Sequence, residues 1–226
     1  MSYGMQFVNS GNVTTLDSEF SRLSIMSSGR FTPGADGFNS YTNFVRPVTT
    51  QEPPLVFVKM DRVSGSMGFG WAQVQGAAGN WTGFSMIRYS INTAPLSGEY
   101  FAAAFQAAPV ARYGFRLWDA SAKLIADSGT PSALFTSGSA AWYYVTASKN
   151  SQGQDVITFA TPYSFSTSDF LLLNNFGMDV AGARLRSANL YCLWNFSTGQ
   201  LNAVTIGTTN VVTLYIPAIF ARLSNN

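Results

Sequence analysis

The sequence predicts an all-β protein of the β-sandwich or jelly-roll type. Three observations favour this class. Short segments rich in Val, Phe, Tyr, Trp and Thr recur with turn residues between them, no long window combines helical spacing with helix caps, and one β-hairpin pattern occurs twice. At 226 residues, the chain is long enough to bury its own core as one large domain or two small ones.

The predicted strands recur along most of the chain, and their side chains alternate between the two faces of a sheet. In chain order they cover residues 3–8, 13–17, 21–26, 55–60, 68–75, 83–91, 99–106, 113–118, 123–127, 141–147, 155–160, 188–196, 201–206 and 210–220. The last segment is apolar on both faces over part of its length, which is typical of a strand inside a core or at a subunit contact. Pro217 limits its hydrogen-bonded ladder because proline lacks an N–H.

The repeated hairpin begins at Tyr3 and again at Tyr113, and the two copies align without a gap. Each copy opens on Tyr-Gly and closes on Asp-Ser, at Asp17 and Asp127. We expect both aspartates to accept backbone N–H hydrogen bonds and close a turn, because each directly follows the second hairpin strand. The repeat predicts two related halves, of about 1–107 and 108–226. The short spacing between Phe105 and Tyr113 favours one domain over residues 1–226, and a hinge at residues 107–111 between two subdomains is the alternative.

The turn between the two hairpin strands differs between the copies. Asn9-Ser10-Gly11 is a compact turn signal, in which Gly11 supplies a positive φ. Ser121 stands in the place of Gly11 in the second copy, and a left-handed conformation is costly for a residue with a side chain. We therefore expect a different turn geometry in the second hairpin.

Residues 27–54 are predicted to form a long loop, and long loops tend to be functional or to wrap a neighbour. Aromatic residues along this segment either pin it to the core or act as anchors at a protein or glycan interface. The candidate binding residues are therefore Phe31, Phe38, Tyr41 and Phe44. Residues 148–154 are predicted to form a second loop that reaches outward.

The composition indicates a surface that is either covered with Ser, Thr, Asn and Gly or partly hidden in contacts with other chains. Apolar residues make up 46% of the sequence and charged residues only 11%, against roughly a quarter in an average soluble domain. The net charge of +2 is scattered, so we expect no nucleic-acid partner, which would need a concentrated basic face. The apolar runs are far shorter than the roughly 20 residues of a membrane helix, so no membrane insertion is expected.

The residue types needed for common catalytic sites are missing or poorly placed. The chain contains no histidine, which excludes Ser-His-Asp and Cys-His catalysis. No glycine-rich phosphate loop or calcium-binding loop is present, and we predict no enzyme activity, cofactor or metal. The single cysteine, Cys192, is predicted to be a buried structural thiol. The N-terminal segment has no secretory pattern, so we expect folding in a reducing cytoplasm.

The paired motif resembles small tail-tip and tail-fibre-associated structural proteins of tailed bacteriophages. The opening Met-x-Tyr-Gly, alternating strand, Asn-Ser-Gly, second strand and Asp-Ser is similar to the start of those proteins, and the element from Tyr113 to Gly129 is similar to their internal motif. The resemblance assigns no functional residues, because the motif marks scaffold.

This resemblance implies a non-enzymatic virion protein of a tail tip, baseplate or fibre. Such a protein is assembled in the host bacterial cytoplasm, contacts other tail proteins, and contributes to host attachment or anchors the receptor-binding part. It further implies a homo-oligomer, most simply a trimer, with a host surface receptor or glycan as a further partner.

A stand-alone glycan-binding sandwich of the lectin type is the alternative. Tryptophan rings can stack on sugars, and the chain has five: Trp71, Trp81, Trp118, Trp142 and Trp194. Most of them are expected in the core. A glycan-cleaving enzyme that uses a pair of carboxylates is the least favoured reading.

Overall fold

The computed structural model describes residues 6–8, 10, 14–17, 21–166, 168–177, 189–208 and 213–224. The protein is all-β, with 57% strand and 2% helix, as the sequence predicts. Within the described residues, the only helix is one 3-10 turn at Asn174–Phe176, and no helix there has the length and apolarity to cross a membrane. The strands are β1 (Gln6–Val8), β2 (Thr14–Asp17), β3 (Leu23–Phe31), β4 (Asn39–Val48), β5 (Leu55–Met60), β6 (Ser66–Ala77), β7 (Asn80–Arg88), β8 (Gly98–Phe105), β9 (Arg116–Trp118), β10 (Leu124–Asp127), β11 (Ala133–Ser139), β12 (Tyr143–Lys149), β13 (Asp155–Ser164), β14 (Phe170–Leu172), β15 (Asn189–Asn195), β16 (Gln200–Ile206) and β17 (Ala218–Leu223).

Two large antiparallel sheets pack against each other, which confirms the predicted β-sandwich class. The six-stranded sheet has the order β11-β17-β14-β5-β8-β3, and the seven-stranded sheet has the order β12-β13-β16-β15-β6-β7-β4. The pairs β1–β2 and β9–β10 form separate two-stranded hairpins. Burial of alternate side chains between the sheets supplies the main core, and each fully buried large side chain there contributes roughly 1.5–3 kcal/mol.

The six-stranded sheet is apolar on both faces. Its inner face joins the inter-sheet core, while its other face carries a second cluster that includes Phe57, Phe101 and Phe170. The rings of Phe57 and Phe101 stack with centroids 4.7 Å apart. The two edges of this sheet meet at their first residues, where Ser24 and Ser132 form an antiparallel bridge. The sheet therefore curls around the second cluster.

The order of strands relates the two halves of the chain. In the six-stranded sheet β3-β8-β5 is matched by β11-β17-β14, and in the seven-stranded sheet β4-β7-β6 is matched by β13-β16-β15. The halves meet at the antiparallel pairs β5–β14 and β6–β15, so an approximate two-fold axis passes between them. Among the described residues of the first half, no strand corresponds to β12, which extends the seven-stranded sheet at one edge.

The irregularities of the strands repeat as well. The register of β3 against β8 shifts between Ile25 and Ser27, and that of β11 against β17 shifts between Phe135 and Ser137, the aligned positions. The two hairpins also share their register. Gln6 pairs with Asp17 in the first hairpin, and Arg116 pairs with Asp127 at the equivalent place in the second. The other two strand pairs of each hairpin correspond as well, and each register shifts once, at the same place.

The long loop predicted for residues 27–54 is wrong. Strand β3 continues to Phe31 and β4 occupies Asn39–Val48, so that only short connections remain. In β4 Phe44 faces the core and Tyr41 faces solvent, which is the alternation of a half-buried strand. The exposed positions of the strand include Asn43, Arg46 and Pro47, and these residues concealed the pattern.

Two further strands, β11 and β14, were also not predicted. Strand β11 is rich in Ser and Gly, which have low β-propensity, and β14 has only three residues. The strand predicted for 210–220 begins at Ala218, directly after Pro217, and residues 209–212 lie outside the described part. In the second hairpin turn the left-handed residue is Ala122, with φ 61°, and not Ser121.

The predicted turn of the first hairpin cannot be compared in the same way, because positions 9 and 11 are not among the described residues.

Candidate functional site

Asp127, the repeated aspartate of the second hairpin, links two backbone segments by hydrogen bonds. The Asp127 side chain is fully buried, and its Oδ1 accepts hydrogen bonds from the N–H groups of Ala111 at 3.0 Å and Gly129 at 2.9 Å. Arg116 donates from Nε to Oδ2 at 2.7 Å. Burial alone would raise the pKa of this carboxyl, but the hydrogen bonds from Arg116, Gly129 and Ala111 outweigh it and the pKa lies below its usual value. The carboxylate is engaged in closing the turn.

The structure separates the four aromatic residues that the sequence singles out. Phe31 and Phe44 are buried in the core between the sheets. Phe38 is 40% exposed beneath the guanidinium of Arg88, 5.8 Å from the ring centroid, and Tyr41 is 72% exposed on the outer side of β4. Two of the four therefore pin the segment to the core, and only Phe38 and Tyr41 offer surface for a partner.

The tryptophans are divided in a similar manner. Trp142 and Trp194 are buried, and Trp81 is partly buried and donates from its indole nitrogen to the carbonyl of Thr50 at 2.9 Å. Trp71 on β6 and Trp118 on β9 are about half exposed. The exposed rings thus belong to different sheets.

A cleft opens between the β11 edge of the six-stranded sheet and the end of β13. Its volume is about 440 Å³, which lies in the range of small-molecule sites. We call it the serine cleft, because hydroxyl side chains dominate its walls, together with one carboxylate and two phenyl rings: Ser137, Ser139, Thr161, Ser164, Ser166, Asp169, Phe165 and Phe220.

The single carboxylate of the serine cleft has protein partners. Arg222 donates from Nε to Oδ1 of Asp169, and the hydroxyl of Thr136 donates to Oδ2 at 3.0 Å. The Phe165 ring packs edge-on against Phe196, with centroids 5.8 Å apart, so its position is fixed from one side. The serine cleft therefore presents hydroxyl groups and phenyl faces around a charge that is already compensated.

An apolar edge lies on the same side of the sandwich. All residues of β12 are exposed, including Tyr143, Tyr144 and Val145, and β12 is an outermost strand of its sheet. Leu134 and Phe135 are exposed on β11, the neighbouring edge of the other sheet. Unpaired edge strands with exposed apolar side chains are templates for pairing with another chain.

Among the residues that the structure describes, no group of three His, Cys, Asp or Glu side chains is placed to hold a metal ion. Cys192 is fully buried, and desolvation raises the pKa of its thiol well above the usual value. A thiol in this state is a poor nucleophile, because the reactive form is the thiolate.

Comparison of the chain with protein-family models, with curated proteins and with solved structures finds no match.

Proposed function

We propose that this chain is a non-enzymatic structural component of a bacteriophage tail tip, baseplate or fibre, which contributes to host attachment or anchors the receptor-binding part. One observation carries the proposal. The resemblance to tail proteins depends on two segments, and their described strands, Gln6–Val8 with Thr14–Asp17 and Arg116–Trp118 with Leu124–Asp127, pair with the same register and the same irregularity.

The contacts of the repeated residues support a scaffold role. Asp127 uses its carboxylate on two backbone N–H groups and on Arg116, so it is not available to act as an acid or base. The approximate two-fold arrangement gives a rigid platform in which each sheet contains strands from both halves. A rigid platform with exposed edges suits a protein that is packed among other subunits.

We further propose that copies of this chain assemble as a trimer in which the exposed side chains of β12 from three copies pack around a common axis. Tyr143 and Tyr144 supply large rings at low cost in side-chain entropy, which is typical of protein interfaces. The one charged residue of β12, Lys149, lies at its end, so no charge interrupts the exposed rings.

The tail role is tested with virions of a phage whose genome encodes this chain. Mass spectrometry of gradient-purified virions, together with immunogold labelling, should find the chain at the distal end of the tail. Its absence from purified virions would refute the proposal.

The assembly is tested by analytical ultracentrifugation. We expect a particle of three times the 24.4 kDa chain mass. Replacing Tyr143 and Tyr144 together by lysine should weaken this association, whereas Tyr41→Lys, at an exposed tyrosine on the opposite edge strand, should leave it intact. A monomer at high concentration, or equal effects of both variants, would contradict the assigned edge.

A further inference from the structure

The two halves differ most at the place where the serine cleft opens. In the first half Tyr100 is only 3% exposed and fills the space between β3 and β4. Its hydroxyl lies 3.3 Å from Oγ of Ser27 and donates to the carbonyl of Asn43 at 3.3 Å. Its ring contacts Phe44 and Phe84, with centroids 6.2 and 5.1 Å away. The first half is therefore closed by three packed rings.

In the second half a small residue takes the place of Tyr100. Tyr100 pairs with Gly29 on β3, and Ala218 pairs with Ser139, the residue of β11 that aligns with Gly29. The pairs of β4 with β7 and of β13 with β16 correspond up to Asn43–Gly83 and Ala160–Asn202, and they place Ala203 where the first half has Phe84 and Phe159 where it has Thr42. The ring of Tyr100 therefore has no counterpart at its position on β17.

The missing tyrosine ring coincides with the serine cleft. Ala218, which is itself fully buried, and Thr161 on β13 both border the cleft. A closed apolar void of this size would destabilise the fold, because its lining atoms would lose their packing contacts. The serine cleft instead opens to solvent and combines apolar surface with several hydroxyl groups, which is the make-up of a small-molecule site.

The side chains around the serine cleft define the chemistry of an occupant. Hydroxyls both donate and accept hydrogen bonds, so they suit a ligand with many hydroxyl groups. Asp169 and Arg222 neutralise each other, so the cleft offers no unpaired charge to attract an anion, and a cation would have to displace Arg222 from that carboxylate. The phenyl faces of Phe165 and Phe220 favour a ligand that also has an apolar face.

We propose that the serine cleft binds a neutral saccharide of one or two sugar units. The C–H face of a sugar ring packs on Phe165 or Phe220, and its hydroxyls bond to side chains such as Ser137 and Ser164. This site does not depend on the tail role, and it is distinct from the β12 edge assigned to assembly.

The experiment uses the purified full chain and a panel of neutral sugars: glucose, galactose, mannose, N-acetylglucosamine, maltose and lactose. Saturation-transfer NMR detects binding, and titration by calorimetry or chemical shift gives the affinity. Ala218→Tyr installs the ring that the first half carries at the same position, and Ser137→Phe places a ring on the exposed wall of the cleft. Val45→Tyr adds a ring on the exposed opposite edge strand and serves as the control.

We expect at least one sugar to bind the natural chain with millimolar affinity. Each cleft variant should weaken that binding by more than about tenfold, and Val45→Tyr should not change it. Ser137→Phe alters an exposed residue, so it keeps the test decisive if Ala218→Tyr folds poorly. If no sugar of the panel binds, or if binding survives both cleft variants, the proposal is wrong. A different result would also overturn the proposal. If assembly alone protects β11 and β13 from hydrogen exchange, with no sugar present, the cleft is occupied by a segment of a neighbouring subunit.

Discussion

Replacing Asp127 by alanine tests whether the repeated aspartate is a structural residue. The substitution removes the acceptor of two backbone N–H groups, on Ala111 and Gly129, and the partner of Arg116. The two N–H groups then lose their hydrogen bonds in a part-buried turn. Arg116 can recover part of its loss from water, because 36% of its side chain is exposed.

The expected loss follows from these contacts. Hydrogen bonds to a charged group are worth about 1.5–3 kcal/mol each but are not additive, and breaking a buried ion pair from one side costs about 3–5 kcal/mol. Since the arginine is partly solvated, we expect Asp127→Ala to lower the free energy of unfolding by about 3 kcal/mol. Asp61→Ala is the matched control, because it removes the partner of Arg30 at the surface and should cost less than about 1 kcal/mol.

Urea unfolding monitored by fluorescence measures both variants. The pH dependence gives a second check, because the pKa of Asp127 is depressed in the folded protein. Its contribution is present above the unfolded pKa of about 3.9 and is lost as the pH falls through the folded value. The gap between the natural chain and Asp127→Ala should therefore shrink in acid. Equal stability of the two at neutral pH would refute the structural role.

Three other substitutions and one reagent address the core. Gly98→Ala should lower stability by about 1–3 kcal/mol in urea unfolding, because a Cβ there would lie 2.1 Å from the carbonyl oxygen of Lys59. Cys192 should react with Ellman's reagent only as the protein unfolds, and rapid reaction of the native chain would contradict its burial. Tyr100→Phe should cost about 0.5–1.5 kcal/mol through its hydroxyl contacts, and Tyr100→Ala about 3–5 kcal/mol, both measured by urea unfolding.

Much of the fold could be predicted from local patterns in the sequence. Strand β5 was predicted with its observed bounds, because Leu55–Met60 is a short apolar run between turn residues. The hairpin β9–β10 was found from repetition, which does not depend on propensity. Strand β11 was missed, because its Ser and Gly residues are held by pairing with β17 and not by their own preference for extended structure.

The serine cleft could not be predicted from the sequence. Its walls come from β11, the end of β13 and β17, which are far apart in the chain and meet only through sheet pairing. Single serines and threonines carry no local signal of a site. Phe31 and Phe44, which the sequence indicates as binding residues, are core residues. They occupy inward positions of strands within the segment that was predicted to be a loop.

The internal two-fold relation connects the scaffold and the cleft. The pairs β3–β8 and β11–β17 keep the same irregularity, so the backbone of these strands has the same path on each side of the axis. Side chains at equivalent places are then free to differ without a change of fold. The first half uses Tyr100 to complete its core, and the second half has the buried Ala218 at that position, beside the serine cleft. One half thus stabilises the sandwich while its counterpart retains a cleft, which is how a duplicated framework can acquire a binding site and keep its rigidity.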